Sequence, residues 1–279
     1  MQIRRCAWGP YPYNRRMKRI FITGASSGIG AALARRYAEH GAILGLVARR
    51  RQALEDLVTT LPNPDRHRIY PLDVTDHGSL ADAAAVFIAA AGGIDIVIAN
   101  AGISVGTLTE HPEDLAVFGR VVATNVIATA ATFTPFVALM KAQAQAGNHD
   151  CRLVGIGSVA GIRGLPGGGA YSASKAAVIR YCESLRVELK SSGVRVVTII
   201  PGYIDTPMTQ GNAYRMPFLM PVDRFAARAV AAIDAGTGYK VIPWQMGIVA
   251  RVLGMLPDAV YDFAFSRAPH KARHAPDQS

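Results

Sequence analysis

The chain has 279 residues, of which 50% are hydrophobic and 18% charged, and its net charge is +10. That length and balance suit one globular domain with a large core and exclude a disordered or low-complexity protein. The charge is uneven: residues 1–19 hold +6 and residues 267–279 hold +2, leaving +2 for the body, which argues against a nucleic-acid-reading surface.

Residues 1–17 are basic, contain Pro10 and Pro12, and lack an apolar segment. They read as a loose arm and not as a secretory signal; a second reading starts the protein at Met17. Cys6, Cys151 and Cys182 match no zinc or redox spacing and read as inert thiols of a reducing cytoplasm. The seven histidines form no ligand cluster, so no metal is expected. No run reaches the roughly 18 apolar residues that span a bilayer.

From residue 19 the pattern alternates between short apolar runs and helical periodicity. Strands are expected at Arg19–Thr23, Ala42–Ala48, Arg68–Leu72, Ile94–Asn100, Leu153–Ser158, Val194–Ile200 and Tyr239–Ile242. Helices are expected at Ile29–His40, Gln52–Leu61, Ser79–Ala91, Glu113–Ala123, Asn125–Gln145, Tyr171–Ser192 and Asp223–Ala235. Pro62, Gly92 and Gly193 provide helix stops. Strands that are apolar throughout, alternating with helices, imply a parallel sheet covered on both faces. The fold class is α/β: a doubly wound, Rossmann-like parallel sheet in one domain over residues 18–243. Residues 244–279 form a C-terminal helical extension and tail. The stretch Trp244–Phe265 is amphipathic and interrupted by Pro257. It can pack on the sheet or on a subunit neighbour, wall the substrate pocket, or dock on a membrane surface with Arg251, Arg267 and Lys271.

The first strand runs into Thr23-Gly24-Ala25-Ser26-Ser27-Gly28-Ile29-Gly30, which opens a helix. Glycine permits both the tight turn and the close approach of bare backbone to a pyrophosphate, and a helix start favours the anion. An ordinary strand–helix turn is the bland alternative, but the flanking elements supply the context a dinucleotide site needs. At the end of the second strand stands Arg49, where an NAD site would carry an acid. An arginine there can pair with the 2′-phosphate of NADP, so NADP(H) is expected ahead of NAD(H). Arg50 and Arg51 read as solvated helix-start charges. Asp73, followed by Val74, either reaches the adenine or caps the next helix.

Tyr171 and Lys175 are four apart and share one face if helical. Ser158 at the end of the fifth strand and Asn125 at a helix break converge on the same carboxyl edge of the sheet. Reducing a carbonyl needs a hydride and a proton. A phenol, with an unperturbed pKa of about 10, needs a nearby ammonium to work at neutral pH. Lys175 is expected to lower it, Ser158 to donate to the substrate oxygen, and Asn125 to hold a water leading to Lys175. Each residue also has an ordinary structural role open to it: packed aromatic, surface charge, strand-end cap and kink residue.

At these residues the chain resembles the short-chain dehydrogenase/reductase family over about residues 18–243. Thr23 to Gly30 is similar to the family's cofactor loop. Asn100-Ala101-Gly102 is similar to its fourth-strand motif, which supports the sheet and the adenosine side. Asn125, Ser158, Tyr171 and Lys175 fall on its catalytic tetrad. Pro201-Gly202, Ile204 and Thr206 resemble the segment over the nicotinamide, where the resemblance implies carboxamide contacts from Thr206 and from the Ile204 backbone. It also implies a homodimer or homotetramer built through the helices ending near Gln145 and Ser192. Ser27 departs from a basic residue common in NADP users of the family, which leaves Arg49 as the main determinant.

The expected activity is hydride transfer between nicotinamide and a carbonyl or alcohol of a small molecule. Met208, Tyr214, Met216, Phe218, Leu219 and Met220, within residues 203–222, suit a hydrophobic substrate or a lid packed on the protein's own core. Gly167-Gly168-Gly169 beside Tyr171 suggests a flexible or narrow entry loop. A dinucleotide sensor without turnover is the rival class, and it would be expected to lack Tyr171 or Lys175. An epimerase or dehydratase would show other glycine spacing and a larger substrate domain.

Overall fold

A computed structural model describes residues 17–210, 215–266, 271 and 273. The expected basic arm, Cys6, Tyr214 and Arg267 lie outside the described residues. Seven parallel strands form one sheet: β1 (Arg19–Thr23), β2 (Ile43–Ala48), β3 (Arg68–Pro71), β4 (Ile96–Ala99), β5 (Arg152–Ile156), β6 (Arg195–Pro201) and β9 (Tyr239–Ile242). Their order across the sheet is β3-β2-β1-β4-β5-β6-β9. The first six strands follow the doubly wound order, with its switch point between β1 and β4. Each predicted strand is present, with ends shifted by at most two residues. Between β6 and β9 a two-residue pair forms, β7 (Ile204–Asp205) with β8 (Met220–Pro221), and it is too short to show periodicity in the sequence.

The helices divide between the faces. On one side α1 (Gly28–Glu39), α2 (Arg51–Thr59) and α8 (Val222–Asp234) bury Leu33, Tyr37, Leu54, Phe225 and Ile233 against Ile20, Ile22 and Leu44. On the other, α3 (His77–Ala91), α5 (Ala128–Gln145) and α6 (Gly169–Glu188) bury Phe87, Phe133, Phe136 and Val178 around Phe21 and Val97. A single turn, α7 (Pro207–Gln210), follows β7. Apolar side chains on both faces of the inner strands are what a parallel sheet requires. A buried ion pair fixes the opposite, amino-terminal edge: Arg19 Nη2 lies 2.7 Å from Asp95 Oδ1. Burial pushes the Asp95 carboxyl up, but hydrogen bonds from Arg19 and Asn148 outweigh it and hold its pKa below the usual range.

The two middle helices meet without a break. After α4 (Asp114–Val122), one widened turn, Ala123–Ile127, leads directly into α5. A widened turn of this kind marks a local insertion, and Asn125 sits inside it, only 1% exposed. The resulting helix, Asp114–Gln145, is long and apolar enough to cross a membrane by length and composition. It is interrupted by Arg120, Asn125, Lys141 and several threonines, so it holds no uninterrupted apolar run of that length. Its buried face (Val121, Thr132, Phe136, Met140) packs in the core of the fold.

The extension forms two helices, α9 (Trp244–Met255) and α10 (Asp258–Phe265). Met246 of α9 packs where Gly202 leaves room; a Cβ on Gly202 would lie 2.6 Å from Met246 Cγ. Tyr261 of α10 donates to the Gly164 carbonyl and lies under the Arg163 guanidinium, 4.4 Å from its ring centre. Packing on the parent domain therefore accounts for one face of the extension. Trp244, Ile248, Val252 and Met255 stay exposed on another.

Candidate active site

The site is built from strand ends. Because every strand of the large sheet is parallel, β1, β4, β5 and β6 all deliver their following loops to one edge. Beyond β1 the glycine turn needs its glycines. Gly24 and Gly28 have φ of +66° and +53°, and a Cβ on Gly30 would lie 2.2 Å from the Gly24 carbonyl oxygen. Gly30→Ala should therefore destabilise the fold by about 1–3 kcal/mol, the usual cost of forcing atoms into a packed site. Thermal unfolding at constant pH checks this.

Asn100 locks that turn. Its Nδ2 donates to the carbonyls of Thr23 and Gly24 at 3.0 and 3.1 Å, while Thr23 Oγ1 accepts from the Asn100 and Ala101 N–H groups. Ser26 is partly buried and Ser27 exposed, and the Ser27 hydroxyl makes no capping bond to α1. The helix start is thus left open to an external anion. Ile29 packs against the core, and Thr206 closes over the turn: a Cβ on Gly28 would lie 3.4 Å from Thr206 Cβ. Thr206 and the Ile204 carbonyl are both held by the Thr209 hydroxyl. Bare backbone, an open helix start and a covering segment fit a dinucleotide.

Arg49 and Asp73 face each other across the ends of β2 and β3. Arg49 is 64% exposed and its Nη1 lies 3.9 Å from Asp73 Oδ2, a loose contact at the limit of ion pairing. Asp73 does not cap α3, which decides one of the two readings open in the sequence. The cap is Asp76, whose Oδ1 accepts from the Ser79 N–H; Asp73 instead accepts from the backbone N–H and hydroxyl of Thr75. Val74 is buried beside it.

At the centre of the edge, α6 carries Tyr171, Ser174 and Lys175. Lys175 is 6% exposed, and its ammonium donates to the Ile156 carbonyl at 2.9 Å, 5.8 Å from the centre of the Tyr171 ring. Burial pulls its pKa down to about 8, the nearby Cys182 offsetting only part of this. Cys182 itself is pushed up to about 11 by burial, which makes it an inert thiol. Burial also raises the Tyr171 phenol, and the neighbouring Ser158 hydroxyl offsets part of this. The Lys175 ammonium is held on the Ile156 carbonyl beside the Tyr171 ring. Ser158 Oγ additionally accepts from the Ala160 N–H at 3.2 Å.

Asn125 is bound into the scaffold. Its Oδ1 accepts from the Ile103 N–H at 2.8 Å, and its Nδ2 donates to the Ile103 carbonyl at 3.0 Å and to Ser174 Oγ at 2.9 Å. Ser174 then donates to the Tyr171 carbonyl at 2.8 Å. The side-chain amide thus ties the loop after β4 to α6. Gly102 stands at the meeting point: a Cβ there would lie 3.1 Å from Asn125 Oδ1 and 3.5 Å from Lys175 Nζ. Asn125, Ser158, Tyr171, Lys175 and Gly102 are brought together. Pro201 and Gly202 end β6 on the same edge. Ser174 carried no sequence signal, because a serine inside a helix is ordinarily solvated or back-bonded.

The sequence profile of the family described as short chain dehydrogenase matches residues 18–216. The chain belongs to the short-chain dehydrogenase family. It is 35% identical over 254 residues to an uncharacterized oxidoreductase of Myxococcus xanthus, covering 88% of this chain and 95% of that protein. It is 35% identical over 193 residues to the cis-4-hydroxycyclohexanecarboxylate dehydrogenase of Sinomonas cyclohexanicum, covering 68% and 74% respectively. Among solved structures it resembles the 3-ketoacyl-(acyl-carrier-protein) reductase of Brucella melitensis complexed with NADH, with a TM-score of 0.73 and 25% identity over 81% of this chain and 96% of that one. Membership carries an oxidoreductase fold that binds a nicotinamide dinucleotide and a small-molecule substrate.

Proposed function

We propose that this chain is an NADP(H)-dependent carbonyl reductase or alcohol dehydrogenase in which Tyr171 transfers the proton. The observation that carries the reading is the half-buried Tyr171 beside the buried Ser158 and Lys175, all on the edge that holds the open glycine turn. When bound, the nicotinamide supplies or accepts the hydride. Ser158 holds the phenol and the substrate oxygen in one hydrogen-bonded group. Tyr171 gives its proton to the alkoxide as charge builds, and Lys175 stabilises the phenolate left behind. Asn125 fixes α6 against the loop after β4, so these groups keep their spacing.

The chain's own residues Gly24, Ser26, Ser27, Gly28, Ile29 and Gly30 would hold the pyrophosphate. Asp73, Val74, Asn100, Ala101 and Gly102 would flank the adenosine. Pro201, Gly202, Ile204 and Thr206 would hold the carboxamide side, with Tyr171 and Lys175 on the ribose. Met208, Phe218 and Leu219 are 45–51% exposed, and among the described residues of the expected cover only Met220 is buried, which supports a hydrophobic substrate over a lid packed on its own core. Exposed Leu115, Phe118 and Ile127 on the α4–α5 helix and Val187 on α6 support a homodimer or homotetramer through those helices. Turnover of a graded series of ketones and alcohols, followed by absorbance of the reduced cofactor, tests the reading; no hydride transfer to any of them overturns it.

NADP preference rests on Arg49, whose guanidinium is exposed and only loosely engaged by Asp73. Arg49→Asp should lower kcat/KM for NADPH about 10- to 100-fold, the worth of one or two charge-assisted hydrogen bonds, and change it little for NADH. An unaltered NADPH/NADH ratio would remove the phosphate role.

A further inference from the structure

Two basic residues from beyond α10 lie on the active edge. Arg273 is anchored at two carboxylates: its Nε donates to Asp114 Oδ2 at 2.9 Å, and its Nη2 donates to Asp114 Oδ1 at 3.2 Å and Glu113 Oε1 at 2.9 Å. The forked geometry is the directional kind that holds a guanidinium in one place. Asp114 is 4% exposed and also accepts from the Leu108 N–H at 2.8 Å, so the start of α4 is tied to the loop that precedes it. The Arg273 guanidinium, then the Leu108 N–H, hold the Asp114 carboxyl below its ordinary value.

Close to Arg273 in sequence, Lys271 lies over the Tyr171 ring. Its Nζ donates to Ser104 Oγ at 2.7 Å and lies 5.9 Å from the centre of the Tyr171 ring, nearly the same distance as Lys175. The two ammonium groups have different partners. Lys175 is bonded to the end of β5, at Ile156. Lys271 is bonded to the loop after β4, at Ser104. Burial lowers the Lys271 pKa, and among the described residues no carboxylate lies within ion-pairing distance of it. A cation withdrawn from water without a counter-ion carries an uncompensated cost, which an incoming anion offsets. Its neighbour Arg273, by contrast, is satisfied twice over.

We propose that Lys271 is a specificity-determining residue that binds a carboxylate on the substrate, so that the preferred substrates are keto or hydroxy acids whose reacting carbon sits at Tyr171. The inference rests on the hydride-transfer reading above and names the substrate class of that same site. Ser104 orients the ammonium, and the substrate carboxylate supplies the opposite charge that none of the described residues places there. The neutral ester of the same acid cannot.

The test compares para-acetylbenzoate with its methyl ester at saturating reduced cofactor, in the full chain and in Lys271→Met, which keeps the length and removes the charge. The wild-type chain should favour the acid in kcat/KM by about tenfold or more, chiefly through KM. The variant should lower the acid-to-ester ratio about 10- to 100-fold, as expected for a lost charge-assisted hydrogen bond. A variant ratio equal to the wild-type one, or a wild-type preference for the ester, would overturn the assignment. So would a loss that falls equally on both probes and on cofactor affinity, since that would mark Lys271 as a cofactor ligand. Saturation-transfer NMR with para-methylbenzoate, which cannot be reduced, keeps the result separable from turnover. A saturation-transfer signal that is present with the wild-type chain and vanishes with Lys271→Met supports the carboxylate role even if no ketone is reduced, an outcome that would sink the hydride-transfer reading alone. Equal signals from both chains sink the carboxylate role.

Discussion

Tyr171→Phe should bind NADPH with wild-type affinity and lose carbonyl turnover by about 10²–10⁴-fold, the span that positioned acid–base groups contribute. The ring stays, so packing and cofactor contacts stay; only the oxygen that exchanges the proton is gone. Burial raises the Tyr171 phenol from its ordinary value of 10.0 and the Ser158 hydroxyl lowers it in part, so the group is protonated at neutral pH. Protonated phenol is the form that carbonyl reduction consumes. Alcohol oxidation needs the phenolate instead, so its rate in the wild-type chain should rise with pH from neutrality while reduction does not. Cofactor fluorescence titration and steady-state rates in both directions measure this. Wild-type turnover in Tyr171→Phe would sink the assignment of the proton to this oxygen.

The sheet was legible because its strands are apolar throughout and its helices are punctuated by Pro62, Gly92 and Gly193; all seven strands of the large sheet stand within two residues of expectation. The glycine turn was legible because steric demand leaves glycine as the residue that fits there. The tetrad residues could be named from sequence, but their couplings could not. That Asn125 clamps Ile103 and Ser174 depends on a widened helical turn, which has no composition signature. That the Lys175 ammonium rests on the Ile156 carbonyl depends on where a flexible four-carbon side chain comes to lie. Asp114 and Arg273 are 159 positions apart, and such a pairing leaves no local trace. The sequence offered Asp73 as a cap for α3, and only the geometry shows that Asp76 fills that place.

Lys175→Met should cost reduction activity at least about 10²-fold, because the phenolate formed at Tyr171 then has no ammonium a helical turn away. The same substitution makes a claim on stability whose sign follows from the pKa. Lys175 titrates at about 8 in the folded chain, against 10.5 for an ordinary lysine. Between those values the unfolded chain holds the proton and the folded chain does not, so stability rises with pH across that window. Below about 8 both states are protonated and the burial penalty is fully present. Relative to Lys175→Met, which cannot titrate, the wild-type chain should therefore gain about 3 kcal/mol between pH 8 and pH 10.5, at about 1.4 kcal/mol per pKa unit. The Ile156 carbonyl, left without its donor in the variant, shifts the absolute difference but not its pH dependence. Activity should run the other way: the wild-type rate of reduction falls as the ammonium is lost above about pH 8, and the variant shows no such limb. Urea unfolding of both chains across that range, beside their pH–rate profiles, reads the two effects together. A stability difference flat in pH would mean that Lys175 is solvated and not buried at the phenol, and the electrostatic account of catalysis would lose its cation.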